Sequence, residues 1–206
     1  MEGDLGILRV LHKLGVRLLT LTWNQRNQIA DGVNESQTGS GLTKFGLKVI
    51  DEMNRLGMLI DVSHLSETGF WDVIEKSKVP IVASHSNCYA LCPHPRNLKD
   101  DQIKALAGKR GVIGVTFVPN FLTLEKRKTT VEDVVKHIDY LVEKIGVDYI
   151  GLGSDFDGTE VLPFGLEGAE KIPNITIELV KRGYKEKDIK KILGENFLRV
   201  FKEVVG

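Results

Sequence analysis

The sequence predicts an α/β protein built on a parallel sheet, and three observations predict it. Five short stretches open with continuous apolar runs, as strands covered on both faces do. Each of them turns polar at its C-terminal end. Amphipathic stretches with helical period lie between them, and this alternation gives a parallel sheet with helices packed across it.

Taken in order, Leu8–Leu14 reads as a helix stopped by Gly15, feeding a first strand "RLLTLTW" over 17–23. A long polar loop follows, "NQIADGVNESQTGSGL", and loops of that length are often functional. Lys44–Leu56 carries Leu47, Ile50, Met53 and Leu56 on one stripe, and Gly57 is a natural C-cap. The second strand is "MLIDVSH" over 58–64, followed by a short helix over Ser66–Ser77. The third strand is "PIVASHS" over 80–86, with a short helix over Asp100–Ala107 after it. The fourth strand, "GVIGVTF" over 111–117, leads into "LTLEKRKT", a loop whose charges are most simply solvated. Val131–Ile145 places seven apolar residues on one helical stripe, with Thr129 and Glu132 as a capping box. The fifth strand is "DYIGLGSDF" over 148–156, and "DIKKILGENFLRVFKEVV" closes the chain as one amphipathic helix. No linker or repeat interrupts the pattern, so residues 1–206 read as a single domain.

Composition narrows the function. Lys plus Arg equals Asp plus Glu at 28 each, which argues against a nucleic-acid partner. No apolar run approaches the roughly 20 residues of a membrane span, and "MEGDLGILRV" lacks a secretory pattern. With Cys88 and Cys92 as the only cysteines, a disulfide framework is not expected, and the expected setting is cytoplasmic.

The strand ends carry the chemistry. They finish in Thr20–Asn24, Asp61–His64, Ser84–Ser86, Thr116 and Ser154–Asp157. Parallel α/β folds place their active sites at C-terminal strand ends. His64 and His85 lie 21 residues apart, about one strand-helix-strand step. On neighbouring strands roughly 4.8 Å apart, two imidazoles reach one ion at Zn–N distances of about 2.0–2.1 Å. A lone histidine is more often an ordinary hydrogen-bonded residue; two at matching strand ends, with Asp155 at a third, point to a shared site. Asp155 suits proton transfer, whereas Asp157, before Gly158, suits a turn. Cys88, Cys92 and His94 form a C-x3-C-x-H cluster, but no second ligand pair exists to close a structural zinc site, and bystander thiols are expected. Arg96 is either a surface charge or a fork for a substrate carboxylate.

Seven stretches resemble the membrane dipeptidase (renal dipeptidase) family of zinc peptidases, in the family's order. They are "LGVRLLTLTWNQRNQIADG", "GLTKFGLKVIDEMNRLGMLIDVSHLS", "IVASHSN", "HPRNLKDDQIK", "GVIGVTFVPNFL", "GLGSDFDG" and "LGENFLRVF". The resemblance implies a (β/α)8 TIM-type barrel with a two-zinc site, of which this chain represents strands four to eight with the first three missing. It implies that His64 and His85 are ligands of the second zinc, that Asp155 is the acid/base, and that Arg96 holds the substrate's C-terminal carboxylate. Trp23 stands where some members carry a substrate-contacting histidine, and Phe121 where a substrate-side tyrosine is found. Asn24, beside Trp23, joins the substrate-binding group. The family's H-x-D zinc pair has no counterpart here, and Glu2 in "EG" is read as outside the ligand set. One zinc or none is therefore expected in this chain alone. The function implied is zinc-dependent hydrolysis of dipeptides with a free carboxylate, in whole or impaired form. The alternatives are a catalytically silent barrel portion that folds and associates, or a related amide or lactone hydrolase. Open sheet edges lead to an expectation of homo-oligomers, or of pairing with the absent N-terminal part.

Overall fold

The computed structural model describes residues 2–206. It contains the five expected parallel strands, in sheet order β1-β2-β3-β4-β5. The chain groups into two compact units: residues 2–83 with 108–111 and 199–206, and residues 84–107 with 112–198.

The first unit opens with α1, Leu5–Lys13, three residues earlier than the apolar stripe alone suggests. The reason is Asp4, whose Oδ1 accepts the Gly6 N–H at 2.7 Å and caps the helix. β1, Leu18–Thr20, pairs in parallel with β2, Leu59–Asp61, through Leu18–Leu59, Leu19–Ile60 and Thr20–Asp61. Between them lies α2, Lys44–Leu56, capped by Thr43 and ended by Gly57 at φ 68°. Gly57 is required twice, because a Cβ there would also stand 2.8 Å from Val204 O. α2 buries Val49, Ile50 and Met53, each contributing about 1.5–3 kcal/mol. α3, Glu67–Lys76, is capped by Ser66 and leads to β3, Val82–Ala83.

One polar group inside this unit makes its stability depend on pH. Glu52 on α2 is buried and accepts hydrogen bonds from Arg55 Nη2 at 2.6 Å and Arg9 Nε at 2.6 Å. The bonds from Arg55, then Arg9, hold its carboxyl down at about 2, against 4.5 for the ordinary group. A depressed carboxylate contributes fully above its unfolded pKa and is lost as pH falls through its folded one. The wild-type chain is thus expected to lose stability progressively from pH 4.5 towards 2, beyond the general acid effect. In Glu52→Gln this segment of the stability-versus-pH curve flattens, and chemical denaturation at neutral pH reads a cost of about 1–2 kcal/mol.

The second unit holds α4, Asp100–Gly108, up to its last residue, and then β4, Val112–Val115. α5, Pro119–Leu122, is a single turn, and α6, Val131–Ile145, carries Val134, Val135, Ile138 and Leu141 into the core. β5, Ile150–Leu152, pairs with β4 in parallel through Ile113–Ile150, Gly114–Gly151 and Val115–Leu152. α7, Pro173–Lys181, α8, Glu186–Lys190, and α9, Asn196–Val205, complete the chain.

Several sequence expectations are corrected here. The capping box of α6 is Thr130 with Asp133, not Thr129 with Glu132. Asp133 is buried and needs a counter-charge, which Arg127 supplies through bonds of 2.6 and 2.8 Å. The charges of "LTLEKRKT" are therefore partly spent on packing rather than on solvent. The closing helix is broken at Lys191–Glu195, where Gly194 leaves helical geometry and the ladder widens to π spacing. Asn196 then ties the chain back, donating to Val147 O at 2.7 Å and Ile150 O at 2.8 Å. Among the described residues, no helix is long and apolar enough to cross a membrane.

Candidate functional site

The first unit contributes the ends of β1 and β2. Asp61, fully buried, accepts the Thr20 hydroxyl at 2.7 Å and the Ser63 N–H at 3.0 Å, locking the two ends together. Three residues on, His64 sits in left-handed backbone at φ 69°. Its Nδ1 lies 2.8 Å from Asn24 Oδ1, so Nδ1 carries the proton and the lone pair falls on Nε2. The Trp23 ring, two-thirds exposed, stands 6.3 Å from the His64 ring.

The polar loop after β1 is a folded clasp on these two residues. Val33 N–H donates to His64 O at 2.8 Å, and Asn34 N–H donates to Asn24 O at 2.9 Å. Gly32 precedes them and packs on the same strand end, where a Cβ would overlap Trp23 O and the Asn24 backbone. Asp31, buried beside it, is ion-paired with Arg26 and accepts the Thr38 hydroxyl at 2.5 Å. Its hydrogen bond from Arg26 lowers the Asp31 pKa. Asn24, grouped with substrate contacts by sequence, is thus bonded to His64.

The second unit contributes Ser84–Leu98, the end of β4 and the end of β5. His85 Nδ1 pairs with Ser84 Oγ at 2.7 Å. The carbonyl of Ser84 rests on two glycines, since a Cβ at Gly114 or at Gly153 would overlap it. A Cβ at Gly153 would also stand 3.0 Å from the His85 Cα. Asp155, two residues beyond, is half-buried and adopts left-handed backbone at φ 61°, while Asp157 is exposed in the following turn. Arg96 is buried; its Nη2 donates to His85 O at 3.2 Å and its guanidinium lies 5.5 Å from the Phe121 ring centre. The second unit therefore brings His85, Arg96 and Phe121 together, with Asp155 two residues beyond Gly153, and the first gathers Trp23, Asn24 and His64.

Cys88 and Cys92 are buried and unpaired. The Cys92 thiol donates to Asn120 O at 3.4 Å and the Cys88 thiol to His137 O at 3.7 Å, and burial pushes both pKa values up. They are packing groups. His94 instead stacks on Phe121, 4.4 Å between ring centres, and lines a cleft of about 950 Å³ with Asn120, Leu124 and Phe164. That lining includes neither His85, Arg96 nor Asp155.

Sequence reasoning missed Asn87, Asn97 and His137. Asn87 donates to Thr116 O and Phe121 O, and Asn97 donates to Cys92 O and Phe121 O. His137 is buried in α6, and burial pushes its pKa down to about 4. Its position between Val134 and Leu141 on the buried stripe was the available signal.

Among the described residues, no group of three or more His, Cys, Asp or Glu side chains stands together as a metal cage. The histidines nonetheless suit a metal. In both, Nδ1 is held by a neutral side chain, the outer-shell pattern that orients a ligating imidazole.

A model of the membrane dipeptidase family, peptidase family M19, matches residues 1–205. The chain is 40% identical over 199 residues to dipeptidase tcpJ of Claviceps purpurea, covering 96% of this chain and 47% of that protein. It is 38% identical over 200 residues to dipeptidase verJ of Clonostachys rogersoniana, covering 97% and 51%. It thus spans about half the length of these two dipeptidases. A crystal structure of a metallopeptidase from Rhodobacter sphaeroides, liganded with a phosphinate mimic of the dipeptide L-Ala-D-Ala, superposes with a TM-score of 0.92. That match has 35% identity and covers 98% of this chain and 60% of the other.

Proposed function

Because the chain belongs to the membrane dipeptidase family, we propose that it carries the catalytic strand ends of a zinc metallodipeptidase acting on dipeptides with a free C-terminal carboxylate. The observation that carries the reading is backbone strain at two strand ends. Only four non-glycine residues among those described have positive φ, and two of them are His64 and Asp155. Such conformations cost about 1–3 kcal/mol each and concentrate at functional sites. The remaining two, Glu2 and Arg110, lie in turns away from strand C-termini.

In this reading His64 and His85 would each offer Nε2 to zinc, with Asn24 and Ser84 fixing each ring. When bound, the metal supplies Lewis-acid polarisation of the scissile carbonyl and acidifies water. Asp155 takes the proton from the attacking water and returns it to the leaving amine as the peptide bond breaks. Arg96, already desolvated, pairs with the substrate carboxylate in bidentate fashion. Phe121 backs the guanidinium, and Trp23 supplies an apolar wall beside His64. The L-Ala-D-Ala mimic bound by the Rhodobacter relative supports the dipeptide class.

The test is zinc-dependent hydrolysis of alanyl dipeptides by the chain, beside His85→Ala. The expected result is turnover that a chelator removes, zinc restores, and His85→Ala lowers by at least about 10²-fold. A wild-type chain that hydrolyses nothing with zinc present overturns the reading and leaves an associating module.

A further inference from the structure

We infer that His137 is a positioning residue for the carboxylate grip: its imidazole bolts the neck of the Arg96 loop to α6 and to the α5 turn that carries Phe121. The inference rests on the reading of Arg96 as the residue that holds the substrate's carboxylate.

Arg96 sits on a closed loop. Tyr89 N–H donates to Leu98 O and Leu98 N–H donates to Asn87 O, each at 2.8 Å, so residues 87–89 and 98 form its neck. Cys88, in that neck, donates its N–H to His137 Nδ1 at 3.1 Å. On the other side of the ring, His137 Nε2 donates to Leu122 O at 3.0 Å. Only the neutral imidazole with its proton on Nε2 makes both bonds, since a backbone N–H can only donate and a carbonyl can only accept.

The second anchor, α5, is too short to hold itself. A single turn leaves its terminal carbonyls without helical partners. Here they are satisfied from outside: Asn120 O by Cys92, Phe121 O by Asn87 and Asn97, and Leu122 O by His137. The same turn carries Phe121, the ring against the Arg96 guanidinium. The two asparagines belong to the loop, so they fix α5 relative to it. Asn87 also pairs with the Thr116 backbone at the end of β4, and His137, which belongs to α6, adds the tie from loop and turn to that helix. The Arg96 guanidinium is oriented from its loop, with Nη2 donating to His85 O and the Phe121 ring 5.5 Å away. A loosened neck therefore moves the guanidinium.

A merely structural histidine would lower stability and leave KM unchanged. Two amide variants separate the halves of the bolt. In His137→Asn the side-chain oxygen replaces Nδ1 and keeps the bond to Cys88. In His137→Gln the longer amide replaces Nε2 and keeps Leu122, leaving the Cys88 N–H unpartnered. The expected result is that His137→Gln raises KM for alanyl dipeptides by about tenfold, the size of one lost buried hydrogen bond, with kcat little changed. His137→Asn is expected to recover most of that KM. Amide hydrogen exchange of the peptide spanning residues 86–92 is expected to accelerate in the Gln variant and less in the Asn variant. Equal KM values in the two variants, or a fall in kcat at constant KM, overturns the inference. If the wild-type chain turns over no dipeptide, the reading of Arg96 has failed. Exchange then decides the bolt by itself: faster in Gln than in Asn upholds it, and equal rates remove it.

Discussion

Asp155→Asn lowers kcat for dipeptide hydrolysis by about 10²–10⁴-fold, the worth of a positioned acid–base group, with the fold intact. Asparagine is the right substitution because it tolerates the left-handed backbone that residue 155 adopts at φ 61°. Any loss then belongs to the carboxyl group and not to relieved or added strain. The companion variant is Gly158→Ala. A Cβ on residue 158 would overlap Asp155 Oδ1 and stand 2.8 Å from Oδ2. The obstruction is the end of a side chain, so the carboxylate swings aside while the backbone stays. Gly158 is not in left-handed backbone, so alanine fits its conformation and gains about 0.4–1 kcal/mol from a less disordered unfolded state. The expected outcome is an unchanged or slightly raised melting temperature with kcat down about 10²-fold, the cost of misplacing a catalytic group by around 1 Å. Full activity in Gly158→Ala would show that the Asp155 carboxylate is not used where it stands.

The same residues show how far a sequence can be read. The five strands were legible because each begins in a continuous apolar run; β2, β3 and β4 are buried throughout, whereas β1 is not, with Leu18 exposed. Their lengths were not legible. The expected seven to nine residues shrink to stretches such as Val82–Ala83 and Leu59–Asp61. Beyond those points the backbone leaves the ladder to bond the clasp, the loop and the glycines around His64 and His85. His64, His85 and Asp155 were singled out as candidates from their positions at strand ends, a pattern of period and polarity. The bond of Asn24 to His64 was not legible, because it spans 40 residues and no local pattern reports it. His137 was missed on the same ground: its bond to Cys88 spans 49 residues. α5 and α7 were missed as elements. α5 is one turn whose carbonyls are satisfied by distant side chains. α7 is rich in β-branched residues, and Pro173 at its first position was the available mark.

Gly153→Ala is expected to cost about 3 kcal/mol, at the upper end of overpacking penalties, and to remove activity with it. Unlike the obstruction at Gly158, this one is backbone. The new Cβ would overlap the Ser84 carbonyl and lie 3.0 Å from both Gly114 O and the His85 Cα. None of these can rotate away, so either the end of β5 or the Ser84–His85 segment has to shift. For a chain of this size the loss corresponds to a fall in melting temperature of roughly 6–12 °C. Gly114→Ala presses on the same carbonyl from the neighbouring strand, since its Cβ would also overlap Ser84 O. The two substitutions are therefore coupled. Once Ser84 has retreated from one methyl group, the second meets less resistance, and the double variant should cost less than the sum of the single ones. Strict additivity, measured by chemical denaturation of all four members of the cycle, would mean that the glycines act through separate contacts. A cost below the sum identifies the Ser84 carbonyl as the shared stop. That stop sets how closely His85 approaches the ends of β4 and β5, and so places a zinc-ligand candidate through two residues that have no side chain.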